Sequence, residues 1–356
     1  MTTSALSASD ARFYVGTYTN KGTCEGILMG NLDPETGKLG PITLAGKAKD
    51  PSWVTLSPDG QYLYAAVESG DGAVDAFHVE KDGTLTLLNQ QPAGGKATCH
   101  LWVTDTHVLA ANYTGGNLAS FPREKDGSLG ARTQLVQLTG SGPHPRRQKQ
   151  SYAHGVITDR TGKFAYACDL GSDHVWSFHF DEKSGQLTPT EPAKFSIPPG
   201  HGPRHMALSA DDRFLYVDAE MGHTVTVFER DLQTGLLTTL QTISGLPDQG
   251  PDDAITTAEI ALHPSGKWLY LSHPGRNAFT VFTVGADGRL TRIETVPSPV
   301  DFPRGFAIDP SGRWFVAVGQ KDGKLTVLKI DQETGQLSPT GQIVDAGTPV
   351  SVAFAP

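Results

Sequence analysis

The sequence predicts an all-β protein that folds as one seven-bladed β-propeller. Two short sequence patterns each recur seven times along the 356 residues. The first and last segments of the chain also complement each other as two strands of one repeat unit. A regular repeat of strand-forming segments, together with split terminal strands, is typical of a closed propeller ring.

The first pattern is a turn of the form x-x-Gly-x-Leu, of which Glu35-Thr-Gly-Lys-Leu39 is the first copy. Glycine supplies the positive φ that a tight hairpin turn needs. The spacing between copies is about 50 residues, a period that propeller repeats share. The turn glycines are Gly37, Gly83, Gly127, Gly185, Gly235, Gly288 and Gly335.

The second pattern is an apolar strand, a turn rich in Pro, Asp and Gly, and an aromatic-rich apolar strand. β-Branched and aromatic residues on both sides of such a turn predict a β-hairpin. The complete copies span Trp53–Val67, Gly155–Cys168, Met206–Asp218, Ile260–Leu271 and Phe306–Val318. Leu101–Ala111 is a shortened copy, and the last copy, Val352–Pro356, stops at the turn.

The two ends of the chain indicate how the ring closes. The segment Phe13–Tyr18 has the character of a second strand, and the chain ends with a first strand. Pairing of the C-terminal strand with the N-terminal strands completes one blade and removes an exposed sheet edge. We therefore expect residues 1–356 to form a single domain, with residues 1–11 as a flexible N-terminal segment. The alternative of two β-sandwiches is disfavoured by the regular period.

Composition and charge narrow the class of protein. A formal net charge of −9 and a pI near 5.7 argue against a nucleic-acid partner, which requires a basic face. No apolar run of about 18 residues predicts a membrane-spanning helix. Residues 1–12 lack the regions of a signal peptide, and Cys24, Cys99 and Cys168 match neither a disulfide framework nor a zinc site. We expect a cytoplasmic protein that is a monomer or a weak homodimer.

Ionisable residues from several blades are predicted to converge on one mouth of the central channel. The first strand of a propeller blade lines the channel, and its start lies beside the end of the second strand. Aligning the predicted hairpins on their turns places charged or imidazole side chains at these positions in several blades. The candidates are Glu68, His100, His154, Arg204, His205, Glu220, Glu259 and Arg304. Ionisable groups that share one pocket are candidates for a functional site.

These residue types suit chemistry on an anionic carbonyl compound. Arg204 and Arg304 can hold a carboxylate or phosphate, or stabilise an oxyanion. Glu220 and His154 can move protons, and either can act on a water molecule. A mutual ion pair between Arg204 and Glu220 that only stabilises the fifth blade is the structural alternative.

A basic segment, Pro143–Lys149, precedes His154 in this acidic chain. It can add positive potential to the same mouth, but a solvated loop is the simpler interpretation of its two arginines and its lysine. We expect four other histidines at the surface, namely His174, His179, His223 and His263. The positive and imidazole groups argue against a calcium site, which is built from oxygen ligands, and we expect neither a metal nor a cofactor.

Five motifs carry a resemblance to a known family. They are Tyr14-Val-Gly-Thr-Tyr18, Ala153-His-Gly-Val156, Gly202-Pro-Arg-His205, Ala258-Glu259 and Pro303-Arg-Gly-Phe-Ala-Ile-Asp-Pro310. The sequence resembles the seven-bladed propeller lactonases, which include propeller-type 6-phosphogluconolactonases and fungal 3-carboxy-cis,cis-muconate lactonizing enzymes. The resemblance implies a metal-independent site to which His154, Arg204, Glu220 and Arg304 correspond. The chain departs from the family at His273-Pro274, where Asn-Arg is usual, and Arg276 follows in a different frame.

The resulting hypothesis is a lactone hydrolase of the 6-phosphogluconolactonase type. Its substrate is a small anionic lactone, which is attacked at the carbonyl by a water molecule that Glu220 or His154 activates. The expected substrate-binding residues are Glu68, His100, His205, Glu259, Arg276 and Arg304. Two alternatives stay open: a muconate-type lactonizing enzyme, disfavoured by Pro274, and a non-catalytic propeller that binds a small acid or a protein partner.

Overall fold

The computed structural model describes residues 10–20, 22–247 and 254–356. These residues form seven four-stranded antiparallel sheets, each of which is one blade of a propeller. The predicted fold class is therefore confirmed. Within the described ranges, no helix is long and apolar enough to cross a membrane.

The strands follow one another from blade to blade in chain order. Blade 1 contains β1 (Ala11–Thr17), β2 (Gly26–Leu32), β3 (Thr43–Lys47) and β28 (Pro349–Phe354). Blade 2 contains β4 (Pro51–Leu56), β5 (Tyr62–Val67), β6 (Ala73–Val79) and β7 (Leu85–Pro92). Blade 3 contains β8 (Thr98–Val103), β9 (His107–Asn112), β10 (Asn117–Pro122) and β11 (Gln134–Gln137). Blade 4 contains β12 (Ala153–Thr158), β13 (Phe164–Asp169), β14 (His174–Asp181) and β15 (Gln186–Ser196).

The last three blades have the same order of strands. Blade 5 contains β16 (Pro203–Leu208), β17 (Phe214–Ala219), β18 (Thr224–Arg230) and β19 (Leu237–Ser244). Blade 6 contains β20 (Ile260–Leu262), β21 (Trp268–His273), β22 (Ala278–Val284) and β23 (Leu290–Pro297). Blade 7 contains β24 (Pro303–Ile308), β25 (Trp314–Gly319), β26 (Lys324–Ile330) and β27 (Leu337–Asp345).

The ring closes as the sequence predicts. The C-terminal strand β28 pairs antiparallel with β1, with Phe354 opposite Phe13 and Val352 opposite Val15. The backbone N–H of Ala355 continues the ladder by donating to the carbonyl of Arg12 at 2.8 Å. Of the N-terminal segment expected to be flexible, residues 1–9 lie outside the described residues. For Ala11 that expectation is wrong, because this residue begins β1.

The seven repeated turn glycines connect the third and fourth strands of their blades, and each has a positive φ. Gly235, for example, lies against the ring of Phe164 in the preceding blade, where a Cβ atom has no room. The hydroxyl of Tyr166 in that blade also donates to the carbonyl of Gly235 at 2.9 Å. Tyr14, Tyr64 and Tyr270 bond the turn glycines of their neighbouring blades in the same way. The sequence repeat thus records a contact between blades.

Candidate active site

A polar cavity of about 360 Å³ opens at the channel mouth where the first strands of the blades begin. Blades 1, 2, 3, 5 and 7 contribute to its walls, and blade 4 contributes through its first strand only. The loop before β20 takes the place of the strands of blade 6. The lining residues are Tyr18, Glu68, Cys99, Tyr113, Arg147, His154, Arg204, Glu220, Thr256, Thr257, Ala258, Phe302, Arg304 and Gln320. Of the residues predicted from the sequence, Glu68, His154, Arg204, Glu220 and Arg304 are therefore brought together.

Irregular pairing at the start of the first strands directs these side chains into the cavity. The ladder between β16 and β17 shifts between Pro203 and Met206, so Arg204 lies in the irregular stretch. The same shift occurs between Ala153 and Val156, around His154, and between Pro303 and Gly305, around Arg304. Such bulges re-aim a side chain and are common beside active sites.

Glu220 is the electrostatic centre of the cavity. It follows β17 directly, and its Oε2 atom accepts a hydrogen bond from Nε of Arg204 at 3.1 Å. Its Oε1 atom accepts one from Nη2 of Arg147 at 2.5 Å. Burial raises the pKa of Glu220, but the positive charges of Arg147 and Arg204 outweigh burial and lower it below the ordinary value. The carboxylate is therefore ionised, with both oxygen atoms engaged.

Arg204 is the most buried contact of that carboxylate, with a side chain only 4% exposed. Its Nη1 atom also donates to the carbonyl oxygen of Ala258, which lies in the loop before β20. The predicted ion pair with Glu220 thus exists and is part of the cavity wall. Arg204 is fixed by blade 5 and by the neighbouring loop at the same time.

Arg304 differs from the other two arginines because its guanidinium has no hydrogen bond or ion pair with any residue in the described ranges. It lies beside the ring of Tyr18, at 5.9 Å from the ring centroid. Burial lowers the pKa of Arg304, but the nearby Tyr18, Glu68 and Glu220 raise it above the ordinary value overall. Arg304 is thus a charged, partly buried donor that faces the cavity.

His154 supplies an uncharged imidazole to the cavity. Its ring meets that of Tyr113 edge-on at 5.5 Å, and its Nδ1 atom lies 3.9 Å from Sγ of Cys99. Burial lowers the pKa of His154 well below 6.5, and the charge of Arg204 lowers it further. A neutral imidazole can accept a proton, which a protonated one cannot.

Three predicted binding residues form a layer behind the cavity instead of lining it. The rings of His100 and His205 are 4.9 Å apart, and both contact Trp53. His205 also contacts Glu259 through Nδ1 and Oε1 at 3.2 Å. Burial raises the pKa of Glu259 to about 8. These residues support Arg204 and His154 from behind.

The remaining polar groups of the cavity include one carboxylate and one amide. The hydroxyl of Tyr18 donates to Oε2 of Glu68 at 2.8 Å. Gln320, which directly follows β25, has a buried Oε1 atom with no hydrogen-bond partner among the described residues. Glu68 and Gln320 occupy the position just after the second strand of their blade, as do Tyr113 and Glu220.

Arg276 does not join the site. It lies exposed in the turn between β21 and β22 and is absent from the cavity walls. Two surface predictions are also wrong: His223 is 1% exposed and contacts the carbonyl of Ile255, and His263 is 5% exposed and contacts the carbonyl of Gly312.

The basic segment before β12 was expected to be a solvated loop, and for Arg147 that expectation is wrong. Arg147 reaches into the cavity, whereas Arg146 and Lys149 are exposed. Tyr18 and Tyr113 also line the cavity without having been predicted from the sequence, although both directly follow a second strand. The residue directly after the second strand faces the channel mouth in several blades. Considering this position in blades 1 and 3, with the strand ends correctly placed, identifies both tyrosines.

The fold and the cavity define a β-propeller with a charged small-molecule site at one mouth of its channel. The family described as "Lactonase, 7-bladed beta-propeller" matches residues 12–354, and the chain belongs to this family. The family predicted from the sequence motifs is therefore confirmed.

Individual relatives agree with this assignment. The chain is 34% identical to a 6-phosphogluconolactonase of Bacillus subtilis, over 96% of this chain and 97% of that protein. A solved structure of a periplasmic gluconolactonase, PpgL, from Pseudomonas aeruginosa superposes with a TM-score of 0.91 at 29% identity, covering 98% and 99% of the two chains. A solved structure from Bacteroides fragilis gives a TM-score of 0.92 at 31% identity, covering 99% of this chain and 100% of the other.

Proposed function

We propose that the protein hydrolyses lactones of sugar acids, with an anionic aldonolactone of the 6-phosphogluconolactone type as substrate. The observation that carries this proposal is the unpaired guanidinium of Arg304 in a cavity where Arg147 and Arg204 are both bound to Glu220. Tyr18, Glu68 and Glu220 keep Arg304 charged, and because its donors are not used by the described residues, they can bind a negative charge that a ligand supplies. The developing oxyanion of a lactone carbonyl supplies such a charge.

The size and polarity of the cavity fit this substrate class. A volume of about 360 Å³ is at the small end of the range for small-molecule sites. Sugar lactones also carry hydroxyl groups that need acceptors. The unpartnered Oε1 atom of Gln320 and the carboxylate of Glu68 are acceptors on the cavity wall.

In the proposed reaction, His154 is the proton acceptor. The oxygen of a water molecule attacks the lactone carbonyl carbon while His154 takes a proton from that water. Arg304, together with Arg204, stabilises the negative charge on the carbonyl oxygen. The tetrahedral intermediate then collapses, the ring C–O bond breaks, and the protonated His154 returns its proton to the leaving alkoxide. The product is a hydroxy acid.

Glu220 has a different task in this proposal. Both of its oxygen atoms accept hydrogen bonds from arginines, and its pKa is low. Because both oxygen atoms are engaged by arginines, neither is free to take a proton from the attacking water molecule. Glu220 is therefore assigned the role of holding Arg204 and Arg147 in position.

The test is turnover of a lactone panel by the purified protein, followed as acid release at neutral pH with and without a chelator. The panel contains 6-phosphogluconolactone, unphosphorylated aldonolactones and muconolactones. We expect hydrolysis of a sugar lactone in both conditions and a loss of kcat/KM of at least about a hundredfold in Arg304→Ala. Arg276→Ala, which removes an exposed arginine outside the cavity, is the matched control and keeps full activity.

Three outcomes of this experiment contradict the proposal. Turnover of muconolactones alone favours the lactonizing enzyme, and turnover of no lactone favours a binding protein. Equal activity of the Arg304→Ala variant and the wild type means that the unpaired guanidinium does not serve the reaction.

A cytoplasmic location is part of the proposal. It is supported by the cysteines, since Cys24, Cys99 and Cys168 are all free thiols and the last two are buried. Proteins exported to oxidising compartments more often pair their cysteines. Fractionation of cells that express the native gene tests this location.

A further inference from the structure

We propose that Arg147 binds the phosphate group of the substrate and thereby makes the enzyme selective for phosphorylated over unphosphorylated lactones. This inference rests on the proposed function and goes beyond it by assigning a remote specificity site to a residue outside the propeller strands. The position of Arg147, its free donors and the charge balance of the cavity support this role.

Arg147 lies on a long connection, residues 138–152, between β11 and β12. The corresponding connection before β4 spans only residues 48–50. The longer loop is anchored by Gln148, which is 1% exposed and donates to the carbonyl of Leu170 at 2.9 Å and to Asp173 at 2.7 Å. Because Gln148 is fixed, the adjacent Arg147 is presented to the cavity from a defined backbone position.

The guanidinium of Arg147 has donors to spare. Only its Nη2 atom is engaged, by Oε1 of Glu220 at 2.5 Å and by the hydroxyl of Tyr113 at 3.1 Å. Its Nη1 and Nε atoms have no side-chain or backbone acceptor within the described part of the chain. Two guanidinium nitrogens with free N–H groups can donate charge-assisted hydrogen bonds to the oxygen atoms of a phosphate group.

Arg147 also lies closer to solvent than the arginine that shares its carboxylate. Its side chain is 38% exposed, whereas that of Arg204 is 4% exposed. The reacting carbonyl belongs beside the buried Arg204 and the proton acceptor His154. A phosphate at the far end of the same substrate belongs at the outer rim, where Arg147 lies.

The charge balance of the cavity leaves room for an anion. Arg147, Arg204 and Arg304 face only two carboxylates on the described cavity wall, Glu68 and Glu220. Glu220 forms ion pairs with both Arg147, at 2.5 Å, and Arg204, at 3.1 Å, so two cations share one carboxylate. Three arginines against two carboxylates leave one surplus positive charge, which a phosphate group, with close to two negative charges at neutral pH, can neutralise.

The experiment compares kcat/KM for 6-phosphogluconolactone and gluconolactone in the wild type and in Arg147→Gln, Arg147→Lys and Lys149→Gln. Losing charge-assisted contacts to a phosphate lowers the preference for the phosphorylated substrate by about ten- to a hundredfold. We expect that fall in Arg147→Gln, an intermediate value in Arg147→Lys and the wild-type ratio in Lys149→Gln. Lys149 is the matched control, because it is an exposed cation of the same loop.

The ratio of the two substrates separates this role from a merely structural one. Arg147→Gln also removes a partner of Glu220 and is expected to slow both reactions, but a structural effect lowers both values of kcat/KM equally. An equal loss on both substrates therefore overturns the inference and leaves Arg147 as a positioning residue for Glu220. The lactonase proposal survives that result, and it fails separately if the wild type hydrolyses neither lactone.

A binding measurement supports the kinetics and does not depend on turnover. Calorimetric titration of the wild type with 6-phosphogluconate and with gluconate is expected to show tighter binding of the phosphorylated acid. We expect Arg147→Gln to reduce the ratio of the two affinities at least tenfold and Lys149→Gln to leave this ratio unchanged. Equal affinity of the wild type for the two acids contradicts the assignment of Arg147.

Discussion

At the scale of single residues, the cavity divides its ionisable groups by their protonation state. Glu220 stays charged because Arg147 and Arg204 compensate for its burial, whereas His154 stays neutral because burial and the same positive field act against its protonation. One field thus produces a fixed anion and an available proton acceptor side by side. Enzyme sites often assign acid and base roles through such opposed environments.

This division predicts the effect of replacing His154. His154→Ala removes the proton acceptor, and we expect kcat to fall by about a hundredfold or more, with partial rescue by added imidazole. Rescue by the missing group is not expected for Glu220→Gln, in which the positions of the arginines change. The mechanism is wrong if His154→Ala lowers the rate by less than about tenfold, which is well below the usual contribution of such a group.

The role of His154 as proton acceptor also predicts how kcat/KM depends on pH. The imidazole must be neutral to accept a proton, and its pKa in the folded protein lies well below 6.5. The value of kcat/KM therefore stays level as the pH falls from 8 through the ordinary histidine range near 6.5. It decreases only at lower pH, where His154 becomes protonated. A decrease centred at the ordinary value indicates a different base.

At the scale of strands and turns, the chemistry depends on irregularities in otherwise regular hairpins. The bulges around His154, Arg204 and Arg304 are the places where the ladder loses register. The regular part of the hairpin could be predicted from periodicity, because apolar and aromatic residues mark it. The bulge could not, because the same residues fit an unbroken strand.

Blade 3 shows the consequence for the sequence prediction. The turn between β8 and β9 covers only residues 104–106, whereas the turn between β4 and β5 covers residues 57–61. The shorter turn displaces both strand ends, so Cys99 lines the cavity in place of the predicted His100, and Tyr113 lines it from the end of the second strand. Aligning blades by their turns is therefore reliable only where the turns have equal length.

Two glycines in hairpin turns, Gly235 between β18 and β19 and Gly266 between β20 and β21, give a prediction of stability at this scale. Gly235 and Gly266 both have a φ of 71°, but a Cβ atom on Gly235 meets the ring of Phe164, whereas on Gly266 it meets open space. Gly266→Ala is expected to lower the free energy of unfolding by about 1 kcal/mol through backbone strain alone. Gly235→Ala adds a clash, which costs about 1–3 kcal/mol more. Urea denaturation of both variants measures the difference, and equal values mean that the contact between blades contributes nothing.

At the scale of the whole molecule, the sequence predicts the ring better than the site. The seven turn glycines and the split first blade determine blade number and closure, because both are repeated or complementary features of the chain. Arg147 was missed because it belongs to a loop without a repeat, whose path is determined by contacts such as that of Gln148 with Asp173. Arg276 was predicted because it lies two residues after Pro274, where the family usually has an arginine, but it is exposed to solvent in the turn between β21 and β22.

Ring closure itself can be tested by removing the last strand. A chain that ends at residue 346 lacks β28, so the edge of β1 is exposed and Val352 and Phe354 no longer pack against Phe13 and Val15. An open sheet edge invites aggregation, and the lost pairing and packing are set against a net stability of only about 5–15 kcal/mol for a typical domain. We expect this chain to aggregate or to show no cooperative unfolding transition, whereas a chain that lacks only Pro356 behaves as wild type.

Complementation distinguishes closure from a general loss of stability. A synthetic peptide of residues 347–356 can add to the exposed edge of β1 as the missing strand. We expect the peptide to restore a cooperative transition and lactone hydrolysis to the truncated chain. A peptide in which Phe354 is replaced by Ala is expected to restore less, because the Phe13 and Phe354 rings, 5.5 Å apart, no longer meet. If the truncated chain is a stable monomer without any peptide, β28 is not required to close the ring, and the six complete blades together with β1–β3 hold the propeller by their own contacts.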